Sequence, residues 1–300
     1  MQNFKYSLLV LLGGLSYGLL STVVKLGFLD GFSVQEQIGG QYLFGWLVLL
    51  LIDLLFSRHK VLKKQVIILL IVGTTMSMTG IFYGFAVEEL SASVAVVFLF
   101  QFSWMGVFIE AFANKIFPSL GKILSVIILF IGTLFAGGVF QGFLQEFSWK
   151  GIIFGLLAAL SFSFYIFVSS RVATEVPPYT KSLIMATGAT IMICIAFPPV
   201  FIIDGTLQSG LWKYSVFLGL FGIVIPNVCF TIGAPKVGPG LSTILGSIEL
   251  PTAIIASITL LNEAVSVLQW VGIALILFGI IAPQYLLNWK EKRQFSKEVA

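Results

Sequence analysis

Apolar residues gather into long runs along the chain, broken by short polar turns, and within the runs they do not alternate with polar ones. Stretches such as Ile67-Ile68-Leu69-Leu70-Ile71-Val72 are apolar at every position. This argues against a membrane β-barrel, whose strands alternate over about 10 residues. A helix that crosses the hydrocarbon core needs about 20 mostly apolar residues. Runs of that size fall at 6–27, 34–56, 65–87, 90–112, 120–139, 150–170, 179–203, 213–234, 238–261 and 266–289. Lipid offers no partner to backbone N–H and C=O groups, so each run is expected to close its hydrogen bonds internally as a helix. The pattern predicts an all-α integral membrane protein with ten transmembrane helices.

Composition agrees. The chain is 58% hydrophobic and only 10% charged, too little charge to cover a soluble domain. Lys5 precedes the first run as in a signal peptide, but the run is long and nine more follow, so it reads as a retained helix. The loops leave no room for a nucleic-acid or nucleotide domain. There is no G-x-x-x-x-G-K-[ST] sequence, which argues against an ATP-driven pump within this chain. No cofactor is implied. Cys194 and Cys229 each stand alone in an apolar run, and His59, the one histidine, lies in the basic loop Arg58-His59-Lys60, so neither metal-ligand spacing nor a disulfide framework is visible. The partners this leaves are a lipid bilayer and a small solute, with protons as a candidate coupled ion.

Lys and Arg orient such a protein, because they are enriched in cytoplasmic loops. One set of loops carries Lys5, Arg58, Lys60, Lys63, Lys64, Lys115, Lys122, Arg171, Lys181, Lys236, Lys290, Lys292, Arg293 and Lys297. The other carries Lys25, Lys150 and Lys213 beside Asp30, Glu36, Glu88, Glu89, Glu146, Asp204 and Glu263. The bias holds from loop to loop and predicts that both termini are cytoplasmic. Trp149, Trp212, Tyr214, Trp270, Tyr285 and Trp289 fall near predicted helix ends, as interface anchors do.

The chain also repeats. Gly14-Leu15-Ser16-Tyr17 matches Ala159-Leu160-Ser161-Phe162. Gln101 and Asn114 precede Glu249 and Asn262 by 148 positions. Ile128-Leu129-Phe130-Ile131-Gly132 matches Leu275-Ile276-Leu277-Phe278-Gly279. Five helices is an odd number, so two such units in one chain insert with opposite topology, a recurring device of secondary transporters. The expected organisation is a first repeat over 1–139, an external linker over 140–149, a second repeat over 150–289 and a basic cytoplasmic tail over 290–300.

Taken in order, these features resemble the EamA type of the drug/metabolite transporter superfamily. The residues that carry the resemblance are Ser16-Tyr17 after Gly13-Gly14, then Leu241-Ser242-Thr243-Ile244-Leu245-Gly246-Ser247-Ile248-Glu249-Leu250-Pro251, Asn262-Glu263, Gly272 and Gly279. It extends over essentially the whole chain. It departs from the usual pattern where Leu250 separates Glu249 from Pro251, where Asn262 replaces a glycine, and where Phe102-Ser103 stand in place of a proline. The resemblance implies two inverted EamA repeats in the plasma membrane and no enzymatic activity. Members of the family move amino acids, metabolites or sugars, many of them outward. An amino acid-like or amphipathic solute carried by alternating access is the expectation. A passive facilitator or channel-like pore is the alternative. An intramembrane enzyme is remote, because no paired catalytic groups share one depth.

Glu249 is the sharpest single signal. A carboxylate near the middle of a membrane helix costs roughly 2.5–3.5 kcal/mol to insert, so it is expected to face a cavity. It would anchor a cationic group when ionised, or accept a proton and couple transport to pH. Pro251 withholds its N–H from the helix and would free the Ser247 carbonyl. Pro226 would do the same for Gly222, with the Asn227 amide alongside. Gln101 and Trp104 share a face one turn apart. Ser16, Tyr17, Tyr42, Thr75, Tyr83, Ser161 and Tyr165 complete a polar lining. Glu110 is expected to snorkel toward Lys115. Gly151, Gly155 and Ala159, and likewise Gly80 and Gly84, are expected to let helices approach closely.

Overall fold

The computed structural model describes residues 2–56, 61–90, 92–137, 148–262 and 265–281. Among them eight helices are long and apolar enough to cross a bilayer: α1 (Phe4–Leu29), α2 (Val34–Phe56), α3 (Lys63–Ala86), α4 (Ala95–Asn114), α6 (Trp149–Ser169), α7 (Pro178–Ala196), α8 (Leu207–Val237) and α9 (Pro239–Leu261). Two shorter apolar helices, α5 (Leu120–Ala136) and α10 (Val267–Ile281), stand where the fifth and tenth runs were expected. Most of the expected linker, the basic tail, the Arg58-His59-Lys60 loop, Glu146, Glu263, Tyr285 and Trp289 lie outside the described residues.

The helices start and stop where local chemistry directs. Ser119 and Ser148 cap α5 and α6 by accepting from the backbone N–H groups of Lys122 and Gly151, as short hydroxyl side chains do at helix N-termini. Pro178 opens α7 at a position whose N–H has no partner within the helix. The seventh run was expected to reach 203, but α7 ends at Ala196. Phe197 precedes Pro198-Pro199, and a residue before proline is pushed out of the helical region.

Large apolar side chains cover the outside, among them Leu54, Phe112, Phe117, Ile195 and Ile281, as expected of helices solvated by lipid. Contacts between the helices rely on small residues. A Cβ at Gly73 of α3 would strike the Met185 carbonyl of α7, and one at Gly188 of α7 would strike the Leu70 carbonyl of α3. Gly151 and Gly155 likewise seat Leu90 and Phe98, as expected of close helix packing. Gly80 and Gly84 do not. Among the described residues, the only atom of another element within 4 Å of a Cβ at Gly80 would be the Tyr42 hydroxyl, and a Cβ at Gly84 would meet none. Among the described residues, no backbone of another helix presses on these two glycines as it does on Gly73.

Two helix pairs echo each other. The second segments of α4 and α9, Phe102–Asn114 and Glu249–Leu261, are each 13 residues long and begin 147 positions apart. Each ends on a left-handed residue, Lys115 (φ 54°) or Asn262 (φ 53°). On these boundaries the counterpart of Glu249 is Phe102, with Gln101 one residue before it. Where α5 and α10 meet, Gly132 seats Ile276 and Gly279 seats Leu129, a reciprocal contact in the same register.

The charged residues sort to opposite ends. One end holds Lys122 paired with Glu110, Arg171 bonded to Asn114 at 2.6 Å, Gln65 bonded to Glu175, and Thr180 bonded to Asp53 at 2.5 Å. The other holds Tyr214 bonded to Asp30 at 2.5 Å and Glu89 bonded to Ser148 at 2.9 Å and Lys150 at 3.1 Å. Glu110 therefore pairs with Lys122 and not with Lys115. The left-handed turn at Lys115 ends α4, whereas Lys122 lies in the first turn of α5. At the far end, the Ser148 and Lys150 bonds hold the Glu89 carboxyl below the usual carboxylate range.

Candidate functional site: a carboxylate among tyrosines at a helix break

The ninth helix is not continuous. Its first segment, Pro239–Gly246, ends in tight turns from Ser247 to Ile244 and from Ile248 to Leu245, and a second segment begins at Glu249. Pro251 falls in the first turn of that segment, where helix N–H groups lack intrahelical partners, so its missing donor costs little there. Helix α1 runs alongside this break. A Cβ at Gly14 would lie 2.7 Å from the Ile248 side chain, and one at Gly18 would lie 2.6 Å from the Glu249 carbonyl oxygen. Two glycines one turn apart thus let α1 press its backbone against the break. Helix α1 itself breaks at Leu19, immediately after Gly18.

That approach brings Tyr17 to Glu249. Tyr17 and Tyr83 lie within electrostatic range of the Glu249 carboxyl, and Tyr17, Tyr42 and Tyr165 lie within range of one another. Glu249, Tyr17 and Tyr83 sit deep among protein atoms, yet each keeps part of its surface accessible. They therefore line an internal cavity. Tyr42 and Tyr165 are fully buried in its wall. The Tyr42 hydroxyl donates to the Met76 carbonyl at 3.2 Å, and the Tyr165 hydroxyl donates to Asn227 Oδ1 at 2.8 Å. Among the described residues Glu249 has no hydrogen-bond or ion-pair partner for its carboxylate, whereas the other polar candidates are largely occupied.

Asn227 is fully buried and also donates from Nδ2 to the Ser182 carbonyl at 3.3 Å. Ser161 donates to the Thr75 carbonyl at 2.7 Å, tying α6 to α3. Gln101 stands at the break of α4, between Ala92–Leu99 and Phe102–Asn114. Its amide donates to the Val97 carbonyl at 2.7 Å and accepts from Trp104 Nε1 at 2.8 Å. Nothing in these contacts places Gln101 or Trp104 beside Glu249.

Pro226 acts through a different carbonyl from the one expected. The stretch Leu220–Val224 is wound as a π-helix, in which N–H groups reach back five residues. The carbonyl that Pro226 fails to satisfy is then that of Phe221. The Ser16 hydroxyl of α1 takes the place of the missing donor, at 2.6 Å.

Sequence reasoning missed the aromatic floor of the site. Phe162 meets Tyr17 edge-on at 5.8 Å and Phe102 at 4.9 Å, and Phe230 lies 6.2 Å from Tyr17. Phenylalanine is abundant in this chain and carries no positional signal. Lys181 was missed as well. It is 1% exposed, and its ammonium donates to the Ser169 and Val172 carbonyls at 2.6 Å each. There it satisfies the C-terminal carbonyls of α6 and complements that end's partial negative charge. Among the described residues no group of three His, Cys, Asp or Glu side chains is placed to hold a metal ion.

At one end of the molecule α4 and α9 pack on each other. Thr243 donates to the Ser103 carbonyl at 3.2 Å and packs into the gap at Gly106, while Gly240 approaches Val107 and the Glu110 carboxylate. The opposite halves of these helices diverge: Ala92–Leu99 packs on α6 and Glu249–Leu261 on α1.

Apolar spans wrapped around a polar, cavity-lining centre define a multi-pass α-helical membrane protein. Residues 149–282 match the model of the EamA-like transporter family. An "Uncharacterized transporter" of Archaeoglobus fulgidus is 27% identical over 142 residues, which cover 47% of this chain and 48% of that protein. The chain thus spans about half the length of the curated relative it matches. A solved crystal structure shares the fold over 96% of this chain and 99% of that one, with a TM-score of 0.76 and 17% identity. Over its second half the chain is thus similar to the EamA-like transporter family, and over nearly its whole length it shares the fold of that solved structure.

Proposed function

We propose that the chain is a secondary transporter that carries a small amphipathic or amino acid-like solute with a cationic group across the plasma membrane, by alternating access and in the outward direction. The observation that carries the reading is the Glu249 carboxylate, which lies among tyrosines and has no protein partner among the described residues. A carboxylate there is costly unless something charged or a proton joins it. A cation gains from tyrosine faces as well as from the carboxylate. The same group is the candidate proton acceptor.

Ten helices in two inverted repeats, 1–139 and 150–289, is the architecture we infer. It is supported by the 147-residue register of the α4 and α9 segments and by the reciprocal glycine contacts of α5 and α10. The Lys- and Arg-rich end is then cytoplasmic, together with both termini. The packing of α4 on α9 at that end corresponds to a state open toward the outside.

The test is counterflow in proteoliposomes, first with a panel of amino acids, nucleosides, sugars and amines. Saturable counterflow of at least one solute is expected from a carrier, as distinct from a pore. Glu249→Gln is expected to abolish the pH-dependent part of that flux. Unchanged flux and an unchanged pH profile in the variant would remove Glu249 from the mechanism.

A further inference from the structure

One stripe of α3 changes character along its length. Gly73, Ser77, Gly80 and Gly84 recur at spacings of four, three and four, so they share a face. At the first end Gly73 is pressed against the α7 backbone and Ser77 is fully buried. Further along, among the described residues, the only atom in reach of a Cβ at Gly80 is the Tyr42 hydroxyl, 3.8 Å away, and a Cβ at Gly84 has no neighbour within 4 Å. Tyr42 belongs to the wall of the Glu249 cavity, so this face looks inward and not toward lipid. Tyr83 lies beside Gly84 and three residues on from Gly80, and it is within electrostatic range of Glu249. Through Tyr83, on the same turn, this part of α3 is thus within range of a carboxylate that has no partner among the described residues. Glycine is the poorest helix former after proline, and at neither position does a neighbouring atom require it. Room itself is what the two glycines provide.

We propose that Gly80 and Gly84 set the size of solute this protein accepts: the body of the solute lies along the bare face of α3 while its cationic end points to Glu249. The proposal rests on the transport reading above and adds to it a residue-level size filter on a helix that carries no charged candidate of its own.

Two arms test it. In the first, Cys194 and Cys229 are replaced by alanine, and Gly73→Cys, Gly80→Cys and Gly84→Cys are made singly. Each is treated with a membrane-impermeant trimethylammonium-ethyl thiosulfonate. Gly80→Cys and Gly84→Cys are expected to react at least tenfold faster than Gly73→Cys. Reaction of the two only with a lipid-soluble maleimide would place them toward lipid and overturn the proposal, whatever the protein transports. In the second arm, ethylamine and 2-phenylethylamine are compared in proteoliposomes containing wild type, Gly80→Val or Gly84→Val. The ratio of 2-phenylethylamine to ethylamine flux is expected to fall at least tenfold in the valine variants. An unchanged ratio with an active wild type would overturn the filter and leave the transport reading intact. A wild type that carries neither amine would count against the cationic solute class instead, and the labelling arm would then decide whether the face is aqueous.

Discussion

Asn227 marks how far residue type can be read for role. Its amide is polar, central and next to a proline, and those features single it out in the sequence. Whether its partner is a solute or another helix depends on what faces it. Here Tyr165 of α6 and the Ser182 carbonyl of α7 occupy both ends of the amide. Interhelical hydrogen bonds in membranes are worth about 0.6 kcal/mol on average and up to about 1.7 kcal/mol. A double-mutant cycle of Tyr165→Phe and Asn227→Leu, read from unfolding in detergent, is expected to give a coupling energy in that range. A coupling indistinguishable from zero would mean that the pair does not tie the helices together. Lys181 shows the opposite failure. By sequence it is one more cation in a basic loop. In the fold it is buried, because α6 ends with free carbonyls at Ser169 and Val172 that a long side chain from α7 can reach. No local pattern announces where the end of one helix will lie against the flank of another.

Helices as elements were largely legible, because an apolar run long enough to cross a bilayer has only one way to satisfy its backbone there. The double proline at Pro198-Pro199 could have ended α7 correctly, but hydropathy carries the run past it. The interior breaks were less visible. Those at Phe100-Gln101 and Ser247-Ile248 contain no proline. They depend on small or hydroxyl residues of other helices: Ser163 donates to the Phe102 carbonyl at 3.1 Å, and Gly14 and Gly18 make room beside α9. At the end of the long helix that runs from Lys63 to Glu89, a pH response follows. Ser148 and Lys150 favour the ionised form of Glu89 and lower its pKa on folding. A carboxyl depressed in the folded state contributes stability above its unfolded pKa and loses it as pH falls through the folded value. Since the group is exposed, the effect is small. Glu89→Gln is expected to flatten the acid side of the melting-temperature profile between about pH 3 and 6. An identical profile in the variant would show that the bonds to Ser148 and Lys150 do not couple to folding.

For the whole molecule, residue types and helix boundaries suggest different registers between the two halves. Matching by residue type paired Gln101 with Glu249, while helix ends and left-handed caps put Phe102 opposite Glu249. Composition favours like with like, and only geometry fixes the frame. The same geometry makes the proposed motion testable with any solute that the counterflow panel shows to be carried. If the two halves alternate, the packing of α4 on α9 at the Lys- and Arg-rich end has to open in each cycle. A Cβ at Gly240 would lie 3.2 Å from the Val107 Cα, close enough for two cysteines, whose Cβ atoms must come within about 3.5–4.5 Å. The Glu110 carboxylate also borders Gly240, but as the end of a flexible side chain it can move aside. In a background free of Cys194 and Cys229, Val107→Cys with Gly240→Cys is expected to form a disulfide on oxidation and to reduce solute flux at least tenfold. Reductant is expected to restore the flux. Labelling of Gly84→Cys from the opposite end should persist in the locked protein, because the bond holds only one mouth shut. Full flux through the oxidised protein would show that this contact need not open, and would favour a fixed pore over a carrier.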